Sequence, residues 1–172
     1  MGQLSMPYTK LRNEILLARD LRQEKLTDHL SQCGDTILQL GLNLPGVEKF
    51  LKGINRLFQW GDERLSVVFP QLFPLYFSTD ILGPWALYAT PVLVAEAKYR
   101  CCAIECSQDF ARLLDIDVYS SGGSVCDRDQ LGLEQRACLL CSSPARECIR
   151  SQRHSPGLLR GRCEDLLRAF TA

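Results

Sequence analysis

Apolar residues recur at helical spacing near the start of the chain. Leu11, Ile15 and Ala18, then Leu26 and Leu30, are separated by charged residues, which predicts a helix from residue 8 to about 32. From Asp35 to Leu42 the period shortens. Leu38, Leu40 and Leu42 alternate with Gln39, Gly41 and Asn43, the pattern of a strand. Asn43-Leu44-Pro45-Gly46 then turns the chain into a second helix. Its apolar set Val47, Phe50, Leu51, Ile54, Leu57 and Phe58 lies on one helical face, with Gly61 placed to end it.

Beyond Leu65 short segments rich in aromatic, β-branched or cysteine residues predict strands at Ser66 to Phe69, Trp85 to Thr90, Arg100 to Glu105, Leu113 to Tyr119 and Ser124 to Asp127. Ser121-Gly122-Gly123 is placed to close a hairpin between the last two. A cysteine-bearing loop and a terminal helix, roughly Pro156 to Phe170, follow. Helices before and after a run of mostly consecutive strands predict an α+β fold with a largely antiparallel mixed sheet flanked by helices. The 172 residues fit one domain spanning 1-172.

Composition narrows the class. Twenty basic and 20 acidic side chains leave no net charge, so no basic surplus marks a nucleic-acid partner. The N-terminal stretch does not read as a signal peptide. The most apolar region, Leu65 to Phe77, is interrupted by Pro70, Gln71 and Pro74 and is too short to span a membrane. The expectation is a soluble, cytoplasmic protein. Its nine cysteines then belong in a reducing compartment, where clusters mean metal, catalysis or burial. Cys33, Cys101, Cys102, Cys106 and Cys126, scattered among apolar residues, read as small buried hydrophobes.

Three groups could carry chemistry. In Asp115-Ile116-Asp117 a strand would put both carboxylates on one face, about 7 Å apart, with Leu114, Ile116 and Val118 toward the core. Their mutual repulsion becomes an advantage if they hold a divalent cation together with substrate phosphates. A solvated strand face is the alternative. At Pro45-Gly46 a helix start would offer free N–H groups to an anion, and Lys49 in the first turn could face a phosphate or be a plain surface lysine. The third group is Cys138-Leu139-Leu140-Cys141 with Cys148 and His154. These are four N and S ligands suited to a closed zinc site, or reduced thiols that are simply buried. His29, on the first helix, reads as surface or packing. No GxSxG, Walker, Rossmann or HExxH motif is present.

These segments together resemble the citrate lyase holo-acyl-carrier-protein synthases, also called apo-citrate lyase phosphoribosyl-dephospho-CoA transferases. The resemblance is carried by Lys98 through Glu105, Arg112-Leu113-Leu114-Asp115-Ile116-Asp117-Val118, Asp127-Arg128-Asp129, and Arg136-Ala137-Cys138-Leu139-Leu140-Cys141 with Cys148, Arg150 and His154. A weaker match covers Leu16-Leu17-Ala18-Arg19, Arg22-Gln23, Pro45-Gly46 with Lys49, Arg56-Leu57-Phe58 and Gly83-Pro84. Gln108-Asp109-Phe110-Ala111 stands where the family usually reads His-Pro-Leu-Gly, and Val47 where it has a second proline. A glycine in place of Ala111 would let backbone approach a phosphate closely.

The resemblance implies a nucleotidyltransferase-like fold and reaction. The group moved is 2′-(5″-phosphoribosyl)-3′-dephospho-CoA, taken from its triphosphoribosyl precursor. It passes to a serine of the citrate lyase acyl-carrier subunit, and diphosphate leaves. In that reaction Asp115 and Asp117 would hold Mg²⁺ or Mn²⁺. Arg112, Lys49, Lys98 and Arg128 would neutralise the triphosphate, with Gly46 at the helix start supplying backbone donors. Asp129 or Glu105 would add a third carboxylate. The rival reading is a decayed relative that grips the carrier subunit, its cysteines holding structural zinc. Neither nucleic acid nor a membrane enters either reading.

Overall fold

A computed structural model describes residues 6–46 and 49–171. The described elements run α1 (Met6–Gln32), β1 (Thr36–Leu42), α2 (Ile54–Val68), β2 (Phe73–Asp80), β3 (Gly83–Thr90), α3 (Val94–Cys106), β4 (Leu114–Tyr119), α4 (Ala145–Arg150) and α5 (Pro156–Thr171), with short 3-10 turns at Phe110–Leu113 and Asp129–Leu131. The fold is α+β. Its four strands lie in the order β2-β3-β1-β4. Every described strand pair is antiparallel, so the mixed character expected of the sheet is absent from it.

The sheet separates two apolar layers, because side chains alternate faces along each strand. On one face Leu38 and Leu40 of β1, Ala86 and Tyr88 of β3, and Leu114, Ile116 and Val118 of β4 pack with α2, α3 and α5. On the other face Ile37, Trp85 and Leu87 meet Leu26 of α1. The first helix is pinned there by Arg22. Its guanidinium grips both Asp80 oxygens at 2.7 Å, donates to the Gly83 carbonyl at 3.0 Å and lies over the Trp85 ring.

Several elements depart from the sequence pattern. The second helix begins at Ile54, not at Pro45-Gly46; Gly53, at φ 97°, precedes it. Val47 and Glu48 lie outside the described residues, so this part of the expected helix is not described. Gly61 does not end α2 but sits inside it, where a Cβ would come within 3.0 Å of Leu114. The glycine brings α2 close to the sheet, so packing and not termination explains it. Ser66 to Val68 accordingly complete α2 and are not a strand.

Arg100 to Glu105 lie inside α3. Ala97, Lys98, Cys101, Cys102 and Glu105 are buried at helical spacing, which the strand-like cysteine pair had masked. Ser124 to Asp127 form only an isolated bridge, Val125 to Tyr119, after the turn containing Gly123 at φ 81°. Conversely β2 is a strand that the sequence pattern did not single out. It is an edge strand, and its register shifts between Pro74 and Tyr76, which accommodates a residue with no N–H to donate. Among the described residues no helix is long and apolar enough to cross a membrane.

Candidate active site and cysteine cluster

β4 is the other edge of the sheet, and its outward-facing backbone groups are capped by side chains and one loop N–H and not by another strand. Glu105 of α3 accepts the Ile116 N–H at 2.8 Å, and Lys98 of the same helix donates to the Ile116 carbonyl at 3.1 Å. Arg136 donates to the Leu114 carbonyl at 2.9 Å, and the Cys126 N–H reaches the Val118 carbonyl at 2.8 Å. The arrangement disarms an exposed edge and fixes the backbone between two aspartates. It also fills the helix–strand junction with charge.

That charge is organised around Glu105, which is 2% exposed. Its oxygens accept from Arg128 at 2.5 Å and from Arg136 at 2.7 Å. Arg136 also reaches Asp115 at 3.2 Å. A buried carboxylate of this kind is tolerated because it is paired and fully hydrogen-bonded. Glu105 is therefore a clamp on two arginines and a peptide N–H, an arrangement that leaves it poorly suited to be a base or a metal ligand.

Along β4, Leu114, Ile116 and Val118 are buried while Asp115 and Asp117 share the opposite, half-buried face. The burial alternates as the sequence predicts. Asp115 stands opposite Gly41 of β1 and Asp117 opposite Gln39. Burial, followed by the charge of Asp115, pushes the Asp117 carboxyl up to about 6; Lys98 and Arg136 pull against this and Glu105 adds to it. The charge of Asp115 beside Asp117 is a repulsion that a bound cation would relieve. A cavity of about 320 Å³ opens over them, lined also by Lys98, Glu105, Asp127, Arg128, Asp129, Arg136 and Arg146.

The cysteine loop adjoins this cavity. The Cys138 N–H bonds to the Ser143 carbonyl at 2.8 Å and the Ala145 N–H to the Arg136 carbonyl at 2.8 Å, so residues 136–145 fold back on themselves. Four ligand atoms, the sulfurs of Cys138, Cys141 and Cys148 and a ring nitrogen of His154, all lie within 4.8 Å of one another. Cys141 Sγ is 3.5 Å from Cys148 Sγ and 3.4 Å from His154 Nε2. Tetrahedral zinc with ligands at about 2.3 Å would space them about 3.7 Å apart, so the cluster fits such an ion. The Ser143 backbone N–H, then His154 and Cys148, hold the Cys141 thiol down at about 6, favouring the thiolate that a metal requires.

A second cavity, of about 460 Å³, lies beyond the first and shares Arg136, Ala145 and Ile149 with it. Cys138, Cys148 and His154 form part of its wall. The family model for apo-citrate lyase phosphoribosyl-dephospho-CoA transferase, CitX, matches residues 11–170, taking in every residue of both cavities. The chain belongs to this family.

Among similar proteins, the apo-citrate lyase phosphoribosyl-dephospho-CoA transferase of Citrobacter koseri is 30% identical over 162 residues, covering 90% of this chain and 86% of that one. The protein of the same name from Escherichia coli O139:H28 is 27% identical over 158 residues, with the same coverage. Protein CitXG of Haemophilus influenzae is 29% identical over 152 residues, which are 85% of this chain but 32% of that protein. The chain thus spans about a third of that longer relative.

Among the family-motif residues, the fold brings Lys98, Glu105, Asp115, Asp117, Arg128 and Asp129 to one cavity. Asp129 stands on its wall and pairs with Arg146 at 3.5 Å. Arg112 lies instead on the second cavity, donating to the Cys138 carbonyl at 2.7 Å. Gly46 and Lys49 line neither cavity. Lys49 donates to the Leu44 carbonyl, and burial, with Arg19 nearby, lowers its proton affinity. Ala111 is buried and lines neither cavity.

Sequence reasoning overlooked Arg136 as a site residue, although it tethers Glu105, Asp115 and the Leu114 carbonyl at once. Its place immediately before the cysteine motif was the available signal. Asp127, on the same cavity, had a signal in the Asp127-Arg128-Asp129 motif, whereas Arg146 carried none.

Proposed function

We propose that this protein transfers the 2′-(5″-phosphoribosyl)-3′-dephospho-CoA group from its triphosphoribosyl precursor to a serine of the citrate lyase acyl-carrier subunit, as a single nucleotidyltransferase-like domain. The observation that carries the reading is the pairing of Asp115 and Asp117 on one face of β4, in a cavity whose wall also carries Lys98, Arg128, Arg136 and Arg146 alongside the carboxylates of Glu105, Asp127 and Asp129. Family membership and the names of the similar transferases support the same chemistry.

In this reading the serine oxygen attacks the phosphorus nearest the ribose. The bond to the outer two phosphates breaks, diphosphate leaves, and a phosphodiester remains. The serine proton passes to a carboxylate, a role this reading assigns to Asp129, which lines the cavity. Asp115 and Asp117 are the ligands for a divalent cation, Mg²⁺ or Mn²⁺, which when bound would add positive charge at the reacting phosphate. Lys98 keeps donors beyond the one it gives to Ile116, and Arg128 and Arg136, held rigid by Glu105, present fixed positive charge to the departing diphosphate. Rigid donors cost no reorganisation when charge develops, which is the source of their catalytic value.

The cysteine cluster serves this site as a structural zinc centre. Four protein ligands close the ion to substrate, and the loop they brace supplies Arg136.

Incubation of the apo carrier subunit with the triphosphoribosyl donor, Mg²⁺ and this protein should raise the carrier's intact mass by one prosthetic group. Replacing the acceptor serine by alanine should prevent the gain. An unmodified carrier under these conditions would refute the proposal, and carrier binding without modification would favour the binding-module reading.

A further inference from the structure

The second cavity lies outside the Asp115 and Asp117 face and shares only Arg136, Ala145 and Ile149 with the first, yet it is built like a site. Its walls are largely apolar, from Pro45, Ala137, Leu139, Pro156 and Leu159. Two side-chain amides stand on it, that of the half-buried Asn43 and that of the exposed Gln152, and neither has a protein hydrogen-bond partner among the described residues, leaving both for solvent or a ligand. The guanidinium of Arg112 is fixed there by the carbonyls of Ala137 and Cys138. An apolar chamber with a few unspent polar groups is the usual form of a small-molecule site.

We infer that this cavity binds the adenosine end of the dephospho-CoA donor, while the neighbouring cavity holds its triphosphate. The inference rests on the proposed function and assigns the part of the substrate that does not react. Three features select adenosine over the pantetheine arm. A carboxamide presents a donor beside an acceptor, the complement of an adenine edge, and two such groups are unpartnered here. A planar guanidinium locked by two carbonyls offers a face on which a purine stacks. Finally, the reacting arm of the donor hangs on the 2′-oxygen of the adenosine ribose, so the adenine lies few bonds from the triphosphate. The pantetheine lies beyond a further diphosphate. Two cavities sharing Arg136, Ala145 and Ile149 match the shorter connection.

Calorimetric titration of the full chain, with excess inorganic triphosphate and Mg²⁺ present to occupy the neighbouring cavity, separates the alternatives. Dephospho-CoA and ADP should bind one to one, and 4′-phosphopantetheine should not. Gln152→Gly removes one amide at a position whose φ of 48° suits glycine, and Asn43→Ala removes the other. Each should weaken dephospho-CoA binding about tenfold, the scale of one lost hydrogen bond, with an unchanged thermal melt. Unaltered affinity in both variants, or binding of phosphopantetheine in place of ADP, overturns the inference. If wild-type protein modifies the carrier but binds neither ADP nor dephospho-CoA, the inference fails while the proposed function stands. Adenosine-dependent binding without transfer leaves the site and removes the function.

Discussion

Glu105 accepts the backbone N–H of Ile116 at 2.8 Å, and so a side chain of α3 takes the place of a neighbouring strand at the one residue between Asp115 and Asp117. The same carboxylate holds Arg128 and Arg136. Strand edge, diacid face and fixed positive charge therefore share a single anchor.

Glu105→Ala should be costly to the fold. It leaves the Ile116 N–H without its partner and strips two partly buried arginines of their counter-charge. Breaking such a network by removing one member costs about 3–5 kcal/mol, to be read from urea midpoints. A loss below about 1 kcal/mol would mean that water replaces Glu105 with little penalty.

Asp117→Asn should separate activity from stability. Because burial and Asp115 already resist ionisation of Asp117, removing that charge should raise the melting temperature of metal-free protein. Group transfer should nevertheless fall by at least about 10³, several kcal/mol of transition-state stabilisation. Lower stability together with lower activity would instead make Asp117 a structural residue.

Much of this site was legible in the sequence. The Asp115-Ile116-Asp117 alternation survives because β4 is half-buried, so period two in burial maps directly onto period two in sequence. The cysteine cluster was legible from spacing. The covering helix was not. Cys101 and Cys102 suit a strand or a helix equally, and the helical spacing from Ala97 to Glu105 includes Lys98 and Glu105, whose burial depends on β4 itself. Gly61 illustrates the same limit, since a glycine that lets a helix approach a sheet looks in sequence like one that ends it.

Gly61→Val tests that contact. The added atoms would press on Leu114 and Leu40, and overpacking should cost about 1–3 kcal/mol in the denaturation midpoint. An unchanged midpoint would show that α2 shifts freely.

Protein purified without chelator should contain close to one equivalent of zinc by elemental analysis. Cys141→Ser should lower both metal content and melting temperature, reducing transfer only in proportion to the folded fraction. Metal-free wild-type protein with full stability would leave four buried or half-buried ligands that simply pack.

The central claim is that the Asp115 and Asp117 face performs metal-assisted transfer to the carrier serine. Diphosphate release, measured with apo carrier subunit and triphosphoribosyl donor while Mg²⁺ is titrated, tests it most directly. Wild-type protein should release one diphosphate per carrier modified, with saturable dependence on Mg²⁺, and Asp115→Asn should release almost none at any Mg²⁺ concentration. Near-normal release by Asp115→Asn, or release by wild-type protein that ignores divalent cations, would contradict the account.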